Sequence, residues 1–471
     1  MLSAVVACFV IGYVVIVFEH PLRLDKTVPA LLMGAICWAL LSLGFNSGSL
    51  DVVDSYGELF SLGGHGIEGA ITDHHDAEHG FMGTLLHHLG KTAEILIFLI
   101  GAMTIVEIVD LHRGFDILKG WIHTRSKKKL LWIVGVLGFV LSAIIDNLTA
   151  TIVLVTLLRK LVPNREQRIW YIALIVVAAN AGGAWSPIGD VTTTMLWIGK
   201  RVSTAGLMEF LIVPSLVCFI VPFVVATFLK PFEGNIITPE LESDEGVSEA
   251  NERLLSSKTM LFLGLGMIVF VPIFKTITHL PPYIGMMLSL GVVWLVSEYI
   301  HPEENFTEER KAAYSAHKAL SRIEMSSILF FLGILMAVAA LETVAIGNVG
   351  ALRYVAEQLR EAIPNLDIVV IILGFLSAII DNVPLVAASM GMFDIANFAE
   401  DDRLWHFIAY SAGTGGSMLI IGSAAGVAAM GMERIDFIWY LKKIAPLALL
   451  GFAAGAAVFL VIENLFNVGA G

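Results

Sequence analysis

Residues 141–147 read LSAIIDN, and residues 376–382 read LSAIIDN again. Each copy lies at the centre of an apolar run, 130–158 and 367–393, that exceeds the roughly 20 residues of one comfortable membrane crossing and carries a charge in its middle. The match widens on both sides. Upstream, Glu107 in FLIGAMTIVE and Glu342 in FLGILMAVAALE share the offset of 235 that separates Asp146 from Asp381; downstream, GGAWSPIGD (182–190) aligns with GGSMLIIGS (415–423) at an offset of 233. The chain reads as an internal repeat.

Of its 471 residues 57% are apolar and only 15% charged, against roughly a quarter charged in soluble domains, which excludes an ordinary water-soluble fold. Besides the two interrupted runs, apolar blocks fall at 2–18, 28–45, 92–109, 169–198, 210–229, 259–277, 282–300, 326–345, 404–432 and 444–462. The first lacks the basic start and small-residue cleavage site of a signal peptide and reads as a retained span. Cytoplasmic loops are enriched in Lys and Arg. Arg125, Lys127, Lys128 and Lys129 precede the run 130–158 and Arg159, Lys160, Arg165 and Arg168 follow it, so both ends belong inside and the run becomes a re-entrant hairpin with Asp146-Asn147 at its tip. Such a tip must be buried in protein or line a wet cavity. Carried along the chain, this choice puts the ends of the hairpin 367–393 outside, 22 of the 29 Lys and Arg inside, and both termini outside.

With five spans and one hairpin each, the halves 1–230 and 259–471 must cross in opposite directions. The expected fold is an all-α polytopic membrane protein with an inverted repeat and broken helices, the architecture of secondary transporters, multi-pass in lipid of the cell (inner) membrane. A net charge of −13 argues against a nucleic-acid partner. The acidic segment 231–258 reads as a solvated cytoplasmic linker, and 46–91 as a solvated outer loop holding His65, His74, His75, His79, His87 and His88. Cys8, Cys37 and Cys218 lie in separate apolar blocks without metal-ligand spacing, and no cofactor is indicated.

Ionisable groups inside spans are expensive, which makes them functional candidates. They are Asp146, Asp190 and Asp381, with Glu107 and Glu342 nearer span ends as accessory candidates equally suited to pairing with a basic neighbour. Around the tips, Asn147, Thr149, Thr151 and Asn382 add amide and hydroxyl oxygens, the ligands a hard, partly dehydrated cation needs. An Asp-Asn pair also suits a helix N-cap, and capping can coexist with coordination. The span 169–198 is broken by Asn180, Gly182, Gly183, Ser186, Pro187 and Gly189 just before Asp190 and Thr193, freeing backbone carbonyls. Its counterpart is Thr414, Gly415, Gly416, Ser417, Gly422 and Ser423, with hydroxyls but no carboxylate; glycine pairs also serve close helix packing. We expect Na+ at Asp146, Asn147, Thr149, Asp190 and Asp381. A carboxylate that takes either a proton or a metal cation is sufficient for antiport.

The tips LSAIIDNLTAT (141–151) and LSAIIDNVPLVAAS (376–389), with HHLGKTAEILIFLIGAMTIVEIVD (87–110) and GTGGSMLIIGSAAGVAAMG (413–431), closely resemble the NhaD-type sodium/proton antiporters of the ion transporter superfamily, from about residue 10 to the C-terminus. The resemblance implies a homodimer with scaffold and transport parts, an elevator-like displacement, and exchange of Na+ or Li+ for H+. Dicarboxylate carriers of the superfamily have Ser-Asn-Thr at each tip; here Asp146 and Asp381 replace the serine and disfavour an anion, while Pro384 stands where the first tip has Thr149. A sodium-coupled organic-anion or arsenite carrier is the nearest alternative and would need a cationic pocket, for which the spans offer no Lys or Arg. An intramembrane aspartic protease dyad is disfavoured because each aspartate belongs to a hairpin repeat and is followed by Asn. No enzymatic activity is expected.

Overall fold

The computed structural model describes residues 1–54, 56–63, 70–120, 122, 124–236, 254–301 and 314–467. The principal helices are α1 (Leu2–Val17), α2 (Thr27–Asn46), α3 (His74–Leu111), α4 (Lys127–Ile145), α5 (Asn147–Leu161), α6 (Arg165–Gly183), α7 (Val191–Ile198), α8 (Thr204–Thr227), α9 (Ser257–Thr278), α10 (Pro282–Tyr299), α11 (Met325–Thr343), α12 (Ala351–Ala362), α13 (Leu366–Ser377), α14 (Asn382–Met392), α15 (Arg403–Gly415), α16 (Ala424–Glu433) and α17 (Ala445–Asn467). Among the described residues, seven helices (α2, α3, α4, α8, α9, α11 and α17) are long and apolar enough to cross a bilayer. Two short antiparallel ribbons, Val52–Val53 with Leu59–Phe60 and Ala345–Ile346 with Val349–Gly350, meet where Ala345 N donates to Asp51 O at 3.0 Å.

The helices pack as two groups. One contains α1, α2, α3, α9, α10 and α11; Trp38 of α2 donates to Met336 O of α11 at 2.8 Å. The other contains α4 to α8 and α13 to α17, and each half of the sequence contributes to both groups. In the second group α4 and α5 fold back on each other. Tyr171 Oη donates to Lys127 O at 3.0 Å and Arg168 Nη1 to Val162 O at 2.9 Å, so both ends of the pair lie against the start of α6. The pair α13–α14 likewise has both ends near the start of α15, where Arg403 meets Asp367 at 2.8 Å and Phe393 packs edge-on against Trp405.

Three expectations need correction. Residues 74–91 are helical: Asp73 caps α3 by accepting from the His75 and Asp76 amides, and Ala77, Phe81, Thr84 and His88 form a buried stripe. Phe81 stacks on Phe45 at 5.1 Å, and buried His88 meets the Thr343 hydroxyl at 3.1 Å. The stripe is too sparse among polar neighbours to register as an apolar run. His74, His75, His79, His87 and His88 thus lie on a helix; His65 falls outside the described residues. The linker 231–258 is not solvated throughout. Phe232 is buried edge-on against Tyr171, and Ile236 N donates to Arg125 O at 2.8 Å, which pins the linker's start to the entry of α4; residues 237–253 lie outside the described residues. The third correction, a lysine at the ion site, belongs with the site itself.

Candidate ion-binding site

Four helix starts converge. Asp146 alone turns the chain between α4 and α5, at φ 80° and ψ 157°, a conformation nearly confined to glycine and costing about 1–3 kcal/mol. Its carboxylate caps α5, accepting from Thr149 N and from the Thr149 hydroxyl, both at 2.8 Å. Asp381 caps α14 through Val383 N at 3.3 Å with an ordinary φ of −47°. Asp190 and Ser423, aligned in the repeat, cap α7 and α16 from matching backbones at φ −149° and −146°.

Side-chain amides tie these starts together. Asn147 Nδ2 donates to Asp190 Oδ2 at 2.5 Å and to Asn180 Oδ1 at 3.0 Å, while Asn382 Nδ2 lies 3.3 Å from both Asp190 oxygens. Asp190 therefore receives an amide from each hairpin tip. Asn180 in turn donates to Ser417 Oγ at 3.0 Å and Ser423 Oγ at 2.9 Å. Each broken helix lies close against the first helix of its hairpin because Gly182 and Gly415 have no side chain: a β-carbon would collide with the carbonyl oxygen of Phe139 in α4 at the first and of Gly374 in α13 at the second.

Asp146, Asn147, Thr149, Asp190, Asp381 and Asn382 line one small cavity of about 70 Å³, with Phe98, Leu99 and Phe331 among its apolar walls. Thr151 does not line it, and its buried hydroxyl has no hydrogen-bond partner among the described residues. Thr193 donates to Asp190 O at 2.9 Å, behind the capping carboxylate, and Ser186 donates to Ala143 O at 2.6 Å. In the other break the Thr414 hydroxyl donates to Tyr410 O at 2.6 Å. Pro187, Gly183, Gly189, Gly416 and Gly422 contribute backbone to the two crossings. The carboxylate, amide and hydroxyl groups that line the cavity can ligate a cation only through oxygen, which suits a hard cation. Among the described residues no three His, Cys, Asp or Glu side chains converge on one point, so the three aspartates share a cavity without forming a single cage.

Sequence reasoning missed Lys26, the third correction. Its Nζ donates to Asp381 Oδ2 at 2.8 Å inside this cavity, and it rests 4.5 Å from the centre of the Phe330 ring. It stands just before an apolar run among charged loop residues, so nothing local distinguishes it. Ser142 and Ser377 were also missed. They donate to Ala179 O at 2.5 Å and Ala412 O at 2.7 Å, fixing each tip to its broken helix. Their signal lay in the sequence, as the serine of each LSAIIDN.

Helix α3 runs past three spaces in order. His87, His88 and Lys91 face a vestibule of about 510 Å³ that also contains Glu342 and Arg201; Phe98 and Leu99 face the central cavity; Glu107 and Asp110 face a second vestibule of about 730 Å³. Met103, Leu148 and Thr149 line both the cavity and this second vestibule, whereas no described residue is shared with the first. Glu107, 3.6 Å from Arg322, and Glu342, repeat mates, thus sit in opposite vestibules.

Fold and site define a polytopic membrane carrier with a carboxylate-rich cavity, and comparison with known proteins specifies its kind. The family model described as "Citrate transporter" matches residues 13–405. The chain is 44% identical over 463 residues to sodium/proton antiporter 1 of Arabidopsis thaliana, covering 98% of this chain and 73% of that one. It is 40% identical to sodium/proton antiporter 2 of the same plant, with 97% and 98% covered, and 31% identical to the Na(+)/H(+) antiporter NhaD of Alkalimonas amylolytica, with 98% and 91% covered. The chain belongs to this transporter family, among its NhaD-type sodium/proton antiporters.

Proposed function

We propose that the protein exchanges Na+ or Li+ for H+ by alternating access, with Asp146, Asp190 and Asp381 as the carboxylates that carry ion or proton. Asn147, Thr149 and Asn382 are neutral ligands in this reading, and Ser423 acts one bond further out through Asn180. The observation that carries it is Asp190, a buried carboxylate bonded by one amide from each hairpin tip in a cavity shared with two more aspartates. Three aspartates against one lysine leave the cavity acidic, which favours a cation over the citrate named in the family description. An elevator-like displacement is supported by the grouping of helices, since all three aspartates belong to one group and none to the other. The inverted repeat is supported by paired details: Asp190 with Ser423, Ser142 with Ser377, and Glu107 with Glu342 in opposite vestibules. With the hairpin 130–158 entering from the cytoplasm, the vestibule holding Arg113, Lys160 and Arg322 faces inside and the site is open inward. Homodimerisation in the lipid of the cell membrane completes the proposal.

In everted vesicles expressing the chain, NaCl or LiCl collapses a respiration-driven pH gradient. The collapse is lost in Asp146→Asn, Asp190→Asn and Asp381→Asn; its persistence in the first and last would remove those residues from the ion path. Radiolabelled citrate uptake driven by Na+ would favour the organic-anion reading instead.

A further inference from the structure

Lys26 stands immediately before α2, in the first helix group, and Asp381 caps α14, in the second. Their 2.8 Å ion pair therefore joins the two groups at the wall of the ion cavity, with the side chains 21% and 13% exposed. The polar partners of the other aspartates are different: Thr149, Thr192, Asn147 and Asn382 all belong to the group that holds the aspartates themselves. An ammonium and a sodium ion on the same carboxylate repel each other strongly where water is scarce. Asp381 is thus served by Lys26 or by the transported cation.

Resting on the antiport reading above, we propose that Lys26 is a tethered counter-cation that latches the empty carrier, the one in which Asp381 holds neither Na+ nor a proton. While Lys26 holds Asp381, the helices that carry the site are bound ionically to the helices that do not. When Na+ or a proton takes Asp381 the ammonium is released, and among the described residues Asp25, Glu19 and Glu324 are further carboxylates near enough to act on it. Glu324 precedes α11, in Lys26's own group, so the displaced lysine no longer ties the groups together. Such a latch meets a requirement of any exchanger. A carrier that returned empty would let sodium run down its gradient with nothing coming back.

The test uses the full chain in proteoliposomes, with radiosodium and a pH-sensitive dye read together. The wild type moves H+ and Na+ in a fixed ratio. In Lys26→Gln the ratio of H+ to Na+ falls as empty returns appear, and the sodium concentration at half-maximal flux drops about tenfold because no lysine competes. Lys26→Arg restores the ratio. An unchanged ratio and sodium dependence in Lys26→Gln overturns the latch while leaving antiport standing; no coupled flux in the wild type overturns antiport itself. Should Lys26→Gln fail to insert, the wild type supplies the answer: acylation of Lys26 by an amine reagent, read by mass spectrometry, rises severalfold in NaCl over choline chloride, and equal labelling refutes the latch.

Discussion

At the scale of single residues, the site is a set of helix caps with oxygens to spare. A carboxylate has about four lone-pair positions; Asp146 uses two on Thr149, and Asp190 uses both oxygens on Thr192 and the tip amides. Asn147 is the residue on which this arrangement turns, because it links the first tip to both Asp190 and Asn180. Asn147→Ala leaves buried acceptors without a donor, at roughly 1–3 kcal/mol, so the sodium concentration for half-maximal exchange in vesicles should rise about tenfold or more. Ser423→Ala should behave differently. It removes the cap of α16 and a bond to Asn180 but no cavity wall, so it lowers thermal stability by about 1 kcal/mol and leaves the sodium dependence nearly unchanged. Asp146, Asp190 and Asp381 were legible in the sequence because a charge inside an apolar run has few structural excuses. Lys26 was not, because a lysine at a span's edge has many.

At the scale of elements, the broken helices are held by ties at their outer ends. At the end of α16, Glu433 is buried and meets Arg159 at 2.6 Å and Arg168 at 2.9 Å, while Arg165 donates to its carbonyl at 2.7 Å. At the end of α7, the loop before α15 makes the corresponding tie: Asp401 N donates to Arg201 O at 2.9 Å, and Asp401 Oδ1 accepts from Ser203 N at 2.7 Å. Burial alone would raise the Asp401 carboxyl, but hydrogen bonds from His406 and Ser203 outweigh it and hold the group at about 2, below its usual 3.8. A carboxyl held down on folding stabilises the protein above its unfolded value and loses that contribution as the pH falls through its folded one. Thermal unfolding of purified protein should therefore show Asp401→Asn less stable than wild type at pH 7, with the gap narrowing between pH 4 and pH 2; a gap that stays constant over that window would separate Asp401 from the tie. The breaks themselves were readable as Gly, Pro and Asn inside apolar blocks. The ties were not, since their partners come from opposite halves of the chain.

At the scale of the whole molecule, the two helix groups and the order of vestibule, cavity and vestibule along α3 give the protein a direction. If the hairpin 130–158 enters from the cytoplasm, Lys442 and Arg360, both exposed, lie on opposite faces. In a background with Cys8, Cys37 and Cys218 replaced, Arg360→Cys should react with an impermeant maleimide on intact cells and Lys442→Cys only after permeabilisation; the reverse pattern would invert the topology. The sequence by itself determined the class of fold, the repeat, the placing of the breaks and the three aspartates, because hydropathy, helix-breaking residues and the desolvation of charge act locally and leave a local pattern. Only the tertiary structure decided which oxygens share a cavity, that 74–91 is helical, and that Lys26 answers Asp381 from 355 positions away. Those facts follow from packing between distant segments, and a side chain's neighbours across a fold leave no spacing in the chain to be read.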